Sequence, residues 1–169
     1  MPEIKRILYS TDLSKNSAYA FQYAVDLAEK HNALIYILNV IEELPSSAKA
    51  ALENYLSDEQ LGKFLNRNAE LKETITGRLS VFCENVQKGD PQCTFRVASI
   101  DVIEGHPVNE MLKKAEKEKC DMIVMGTHGK GLITHAILGS VAEKVIRRAK
   151  VPVMVIPIPD DESEVAYEI

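Results

Sequence analysis

Apolar and polar positions along the chain follow two alternating periods. Short apolar runs rich in β-branched residues, at 4–9, 34–40, 95–103, 122–125 and 153–156, predict five buried strands. Between them, apolar residues recur at helical spacing. Ala18, Phe21, Val25 and Ala28 form one stripe, with Ser14 as a predicted N-cap. In the long third segment Leu71, Ile75, Leu79, Phe82 and Val86 share a face, and Ser57 with Gln60 predicts a capping box at its start. A shorter helix over 48–56 precedes it, although 42–56 as a whole reads as loosely organised. Pro107 suits a first helical position, with Val108, Met111 and Ala115 facing inward. Ser140 and Glu143 predict another capping box, followed by Val141, Val145 and Ala149 on one side.

Strand and helix therefore alternate throughout, which implies right-handed crossovers and a mainly parallel sheet with helices on both faces. No internal repeat interrupts the pattern. A chain of 169 residues, 46% hydrophobic and 27% charged, fits one domain with a sizeable core, spanning 1–157 and followed by an acidic tail over 158–169. The formal net charge of -5 argues against a general nucleic-acid binder, which needs a basic face. Cys83, Cys93 and Cys120 lack zinc-type spacing, and the amino terminus MPEIKRILYS has no signal pattern. A reduced cytoplasmic location is the expectation. No apolar run approaches the roughly 18 residues of a membrane span, so no membrane association is expected.

One segment carries chemistry. Residues 126–140 read GTHGKGLITHAILGS, with glycines at Gly126, Gly129 and Gly139. Glycine costs backbone entropy, so either the chain turns sharply here or its bare backbone must approach something closely. The segment joins a predicted strand to a predicted helix at the carboxyl edge of the sheet, where ligands of open parallel sheets bind. A helix start also offers unpaired N–H groups and partial positive charge to an anion. The spacing is neither the Walker A pattern nor the G-x-G-x-x-G dinucleotide fingerprint. On these grounds alone, a phosphate site and a structural turn are equally good readings.

The motif G-x-x-G, nine residues, then G-S, complete at Gly126, Gly129, Gly139 and Ser140, resembles the nucleotide-binding signature of the universal stress protein family. KRILYSTDLS looks like that family's first strand and aspartate loop, and VPVMVIP like its last strand. The resemblance implies a Rossmann-like α/β fold of the adenine nucleotide alpha hydrolase kind, with parallel strand order 3-2-1-4-5. Asp12 and Gly126 would then flank one crevice. It also implies membership of the ATP-binding subgroup. Asp12 and the backbone around Ser10 and Thr11 would meet the adenosine, and Val40 the adenine. Gly129, Gly139, Ser140 and the N–H of Val141 would meet phosphate. Met125, Gly126, His128 and Lys130 complete the candidate set. Each has a plainer reading: Asp12 as a helix cap, Val40 as core, Ser140 as an N-cap, and His128 and Lys130 as solvated loop residues. The family's middle region varies, so 42–88 supports no transfer.

Enzyme readings fare worse. Asp12, His128 and Ser140 could meet as a hydrolase triad, but there is no G-x-S-x-G elbow. His31, His106, His128 and His135 lack H-E-x-x-H or comparable spacing. A magnesium or manganese ion would come with the triphosphate. STDLSKNS is not the S-G-G-x-D-S loop of the ATP pyrophosphatases. The leading expectation is an ATP-binding stress or signalling protein with slow or absent hydrolysis. Its rivals are a nucleotide hydrolase or transferase, and a dimeric interaction module with a vestigial pocket. The edge strand Val153–Ile156, bracketed by Pro152 and Pro157, predicts a homodimer. The alternative is that the tail from Ile158 covers that edge.

Overall fold

The computed structural model describes residues 3–89, 94–127 and 138–157. Five strands, β1 (Arg6–Thr11), β2 (Leu34–Glu42), β3 (Arg96–Gly105), β4 (Met122–Gly126) and β5 (Val153–Ile156), form one sheet in the order β3-β2-β1-β4-β5. Every neighbouring pair is parallel. The helices are α1 (Lys15–His31), α2 (Ser46–Tyr55), α3 (Asp58–Gly89), α4 (Pro107–Lys117) and α5 (Ser140–Arg148).

Successive strand residues point to opposite faces, and each face has its own core. Ile7 and Tyr9 of β1, Ile35 and Ile37 of β2 and Val124 of β4 pack beneath α1 and α3. Leu8, Leu38, Ile123 and Met125 pack beneath α4 and α5. Because both faces are covered at the centre of the sheet, β1, β2 and β4 are largely buried apolar runs rather than alternating ones. The edge strands β3 and β5, expected to be buried like them, are mostly only part-buried, since each has a neighbour on one side alone among the described residues. Full burial of a side chain such as Leu79 contributes about 1.5–3 kcal/mol.

Local signals hold the connections. Ser14 caps α1, its Oγ accepting the Ser17 N–H at 3.2 Å. Asn32 ends that helix in the left-handed region (φ 51°), its N–H directed at the carbonyls of Ala28 and Glu29. The Ser57–Gln60 capping box forms: Gln60 Oε1 accepts the Ser57 N–H at 3.0 Å and Ser57 Oγ accepts the Gln60 N–H at 3.4 Å. Pro107 lies at the start of α4, whose Val108, Met111 and Ala115 are buried.

Three further expectations need correction. Residues 42–56 are not loosely organised as a whole, because α2 runs through Ser46–Tyr55. Leu71 leaves the predicted stripe and is 44% exposed, whereas Ile75, Leu79, Phe82 and Val86 are buried. The reason is length. At 1.5 Å per residue the 32-residue α3 is about 48 Å long, longer than the sheet it covers, and no described side chain before Ile75 is buried. The third correction, at Ser140, belongs to the site.

Candidate functional site at the carboxyl edge of the sheet

Strand order reverses between β1 and β4, and their pairing is short. It joins Ile7, Leu8 and Tyr9 to Met122, Ile123 and Val124 and goes no further. Beyond it the strands part company: Ser10 and Thr11 stay with Leu38 and Asn39 of β2, while Met125 and Gly126 stay with Val155 and Ile156 of β5. A fork opens at the carboxyl edge, at the kind of switch point where open parallel sheets take their ligands.

The β1 side of the fork is tightly braced. Asn39 Nδ2 donates to the Thr11 carbonyl at 2.9 Å. Thr11 Oγ1 shares a hydrogen bond with Ser17 Oγ at 2.8 Å and accepts the Leu13 N–H at 3.0 Å. Tyr9, wholly buried, donates its hydroxyl to the Ser17 carbonyl at 2.6 Å. Burial drives its phenol well above the usual range, so it acts as a neutral donor. Leu13 is held at φ 67°, a left-handed conformation that a leucine rarely adopts. Strain of this sort persists only where neighbouring contacts over-determine it.

Asp12 sits in this bend. Its Oδ1 accepts both the Ser14 N–H at 3.2 Å and the Ser14 hydroxyl at 2.6 Å. The cap of α1 is therefore Ser14, and Asp12 buttresses that cap instead of capping directly. Its other oxygen, Oδ2, is buried and has no hydrogen-bond partner among the described residues. An acceptor of that kind suits a hydroxyl or amine donor from outside.

The β4 side ends at Gly126. A Cβ there would lie 2.7 Å from Asn16 Nδ2, so the bare backbone makes room for the amide of α1. Asn16 is 8% exposed. Beyond Gly126, Thr127 donates its N–H to the Ile156 carbonyl at 2.9 Å and accepts the Gly139 N–H at 2.9 Å. The two ends of the glycine segment are thus pinned together beside β5.

Gly139 has φ -61° and ψ 147°, a conformation open to any residue, and no described glycine has positive φ. Of the two reasons for glycine posed by the sequence, a turn needing positive φ applies at neither Gly126 nor Gly139, and close approach is observed at Gly126. At Gly126 the approaching group is Asn16. Gly139, not Ser140, is the N-cap of α5, and among the described residues no side chain caps that helix. The predicted Ser140–Glu143 capping box therefore does not form: Ser140 is the first helical residue, and Glu143 donates its N–H to the Gly139 carbonyl at 2.9 Å. The helix start carries a partial positive charge that no described side chain answers.

Val40 is partly buried on β2, paired with Ile103 and one position past the Asn39–Thr11 pair. It packs with the α4–α5 core, so the core reading applies to it whether or not it also meets a ligand. Ser10, Thr11, Asp12 and Val40 thus cluster at one lip of the fork. Met125, Gly126, Gly139, Ser140 and Val141 belong to the other. His128, Gly129, Lys130, His135, Cys93 and the tail from 158 lie outside the described residues. Among the described residues, no three His, Cys, Asp or Glu side chains group closely enough to hold a metal ion, and no helix is long and apolar enough to cross a membrane.

Asn16 and Leu13 were not singled out from sequence. The available signal was the short polar run STDLSKNS between an apolar strand and an apolar helix stripe, where a polar residue in a first helical turn reads as solvated.

Comparison with known proteins bears on the family and the fold. The Universal stress protein family model matches residues 3–157. The universal stress protein MJ0577 of Methanocaldococcus jannaschii is 33% identical over 153 residues, covering 90% of this chain and 94% of that protein. The solved structure of MJ0577 superposes with a TM-score of 0.68 at 28% identity, covering 95% of this chain and all of that one (100%). Two more distant structures share the fold. One is a universal stress protein solved in complex with cAMP (TM-score 0.58, 20% identity, 94% and 100% covered). The other is the Archaeoglobus fulgidus universal stress protein in complex with dAMP (TM-score 0.53, 18% identity, 92% and 99% covered). With a five-stranded parallel sheet in the order 3-2-1-4-5 and a family match over almost its whole length, the chain belongs to the universal stress protein family.

Proposed function

We propose that this universal stress protein binds ATP in the fork between β1 and β4 and works as a nucleotide-dependent stress or signalling module. The observation that carries the reading is the pairing of that fork with an α5 start that has glycine at its N-cap and no side-chain cap among the described residues. The phosphates would approach the backbone of Gly139, Ser140 and Val141, together with Gly129, His128 and Lys130. Asp12, with its unpartnered Oδ2, would take a donor from the adenosine, near Ser10 and Thr11, and Val40 would face the adenine. That two universal stress proteins of the same fold were solved with adenine nucleotides supports an adenine ligand.

Any magnesium or manganese ion would be carried by the phosphates. Magnesium keeps much of its own water and needs few protein oxygens, which suits a fork with few carboxylates.

Hydrolysis would be slow or absent. Asp12 commits Oδ1 to Ser14, which leaves it poorly placed as a general base. Turnover should fall well below the roughly 1–1000 per second of ordinary enzymes, and a phosphate-release rate inside that range would favour a hydrolase or transferase instead. The working assembly would be a cytoplasmic homodimer built on β5, whose outer edge has no partner strand among the described residues. Denaturing the purified protein and identifying the released nucleotide by mass spectrometry tests the ligand. ATP in near-stoichiometric amount is expected. A protein that neither releases nor takes up adenine nucleotide would leave the interaction module with a vestigial pocket.

A further inference from the structure

A cavity of about 380 Å³ lies between α4 and α5 over β4, with the α4–β4 and α5–β5 connections at its mouth. It is at the amino edge of the sheet, the end opposite the fork. The size falls within the range of about 300–1,000 Å³ usual for small-molecule sites.

Its floor follows from how α4 ends. Lys119 takes φ 52°, its N–H reaches the Glu116 carbonyl at 3.1 Å, and the Cys120 N–H reaches the Ala115 carbonyl at 2.8 Å. This paired arrangement, a Schellman motif, brings the residue after the turn back onto the last helical turn. Cys120 and Ala115 therefore meet, and with Ile123 they make a buried apolar base. Leu112 and Val151 form apolar walls.

The mouth has the opposite character. Lys119, Arg148 and Lys150 stand around it, with Glu116 as the one acid. Glu116 pairs with Lys150 at 3.0 Å, but both side chains are largely exposed (73% and 84%), so the pair is weakly held. Arg148 is steadied by Asn109 Oδ1 at 3.1 Å, a neutral acceptor. Among the described residues, no carboxylate pairs with Lys119 or Arg148. Cations at helix C-termini are common because they answer the helix dipole. Behind the floor, Glu118 and Asp121 are offset by Lys114 and Arg6. At the rim, against three cations, stand Glu116 and two helix ends of about half a negative charge each, which leaves an excess of about one positive charge.

We propose that this cavity is a second ligand site, for an amphipathic monoanion: a carboxylate head at Lys119 and Arg148 and a flexible alkyl chain on Ala115, Cys120 and Ile123. The apolar floor selects for the chain, the cationic rim for the head, and the small charge excess for a single negative charge. The proposal is independent of nucleotide binding, since the site shares no residue with the fork.

Titration of the full-length isotope-labelled protein with decanoate, followed by amide chemical shifts, tests it. Saturable shifts are expected at Cys120, Ile123 and Val151, with no change along Thr11, Asp12 and Gly126. Decanol, which lacks the charge, should bind at least tenfold more weakly. The double variant Lys119→Asn with Arg148→Gln should lose at least tenfold in decanoate affinity, because both positions are exposed and asparagine tolerates a left-handed backbone. ATP titration of the same variant should match the parent, which separates this result from the fate of the fork. Absence of saturable shifts, shifts confined to the fork, equal affinity for decanol, or unchanged decanoate affinity in the double variant would each overturn the proposal.

Discussion

Asn16 of α1 lies so close to Gly126 of β4 that a Cβ on the glycine would come within 2.7 Å of the Asn16 amide nitrogen. The contact joins the first turn of α1 to the strand leading into the glycine segment, across the point where β1 and β4 diverge. Gly126→Ala must displace a side chain that is 8% exposed, an overpacking cost of about 1–3 kcal/mol. The urea midpoint should fall with an unchanged denaturant slope. An alanine variant as stable as the parent would mean that the amide yields freely and that Gly126 is not held there by packing.

Much of the architecture was legible because period and punctuation agree. Ile75, Leu79, Phe82 and Val86 fall on one helical face and are all buried, and Ser57 with Gln60 caps α3 as their spacing requires. Leu71 fits the same stripe yet is exposed, since periodicity cannot tell where a long helix outruns its sheet. Ser140 and Glu143 have capping-box spacing, but Gly139 beside them is also an acceptable N-cap, and a one-residue shift in helix start is not encoded in spacing alone. The glycine motif pointed to the carboxyl edge between β4 and α5, while the fork there depends on how far β1 and β4 remain paired. That register is a tertiary property with no local signature.

Acid should probe the link between β3 and α4. Burial pushes the Asp101 carboxyl up, but hydrogen bonds from Lys114 and Ser99 and the Lys114 charge outweigh it, so its pKa lies below the ordinary 3.8. A carboxylate depressed in the folded state contributes stability that is present above its unfolded value and lost as pH falls through its folded value. Asp101→Asn should therefore cost stability at pH 7, and the gap from the parent should close below about pH 4. Because the pair is partly exposed, the gap should be at most about 1 kcal/mol. Urea midpoints across the acid range measure it, and a gap that widens with acid would reverse the assignment.

The outer edge of β5 supplies a test of assembly. Among the described residues Val153–Ile156 pairs with β4 alone, which leaves one row of backbone groups without a described partner at the end of the sheet. Val155→Pro would remove a donor from the middle of this four-residue strand. Light scattering should report a dimer for the parent and a monomer for the variant. A parent that is monomeric at micromolar concentration would rule out the β5 dimer.

The central claim is that the α5 start binds phosphate through bare backbone. Gly139 is the place to test it, because its φ of -61° and ψ of 147° suit a branched residue as well as glycine, so Gly139→Val should fold with a stability within about 1–2 kcal/mol of the parent. Its two added γ-methyls would stand where phosphate oxygens must approach. Calorimetric titration with ATP and magnesium should show binding to the parent and at least a tenfold loss in folded Gly139→Val. Equal ATP affinity in the two proteins, or none in a nucleotide-free parent, would contradict the account.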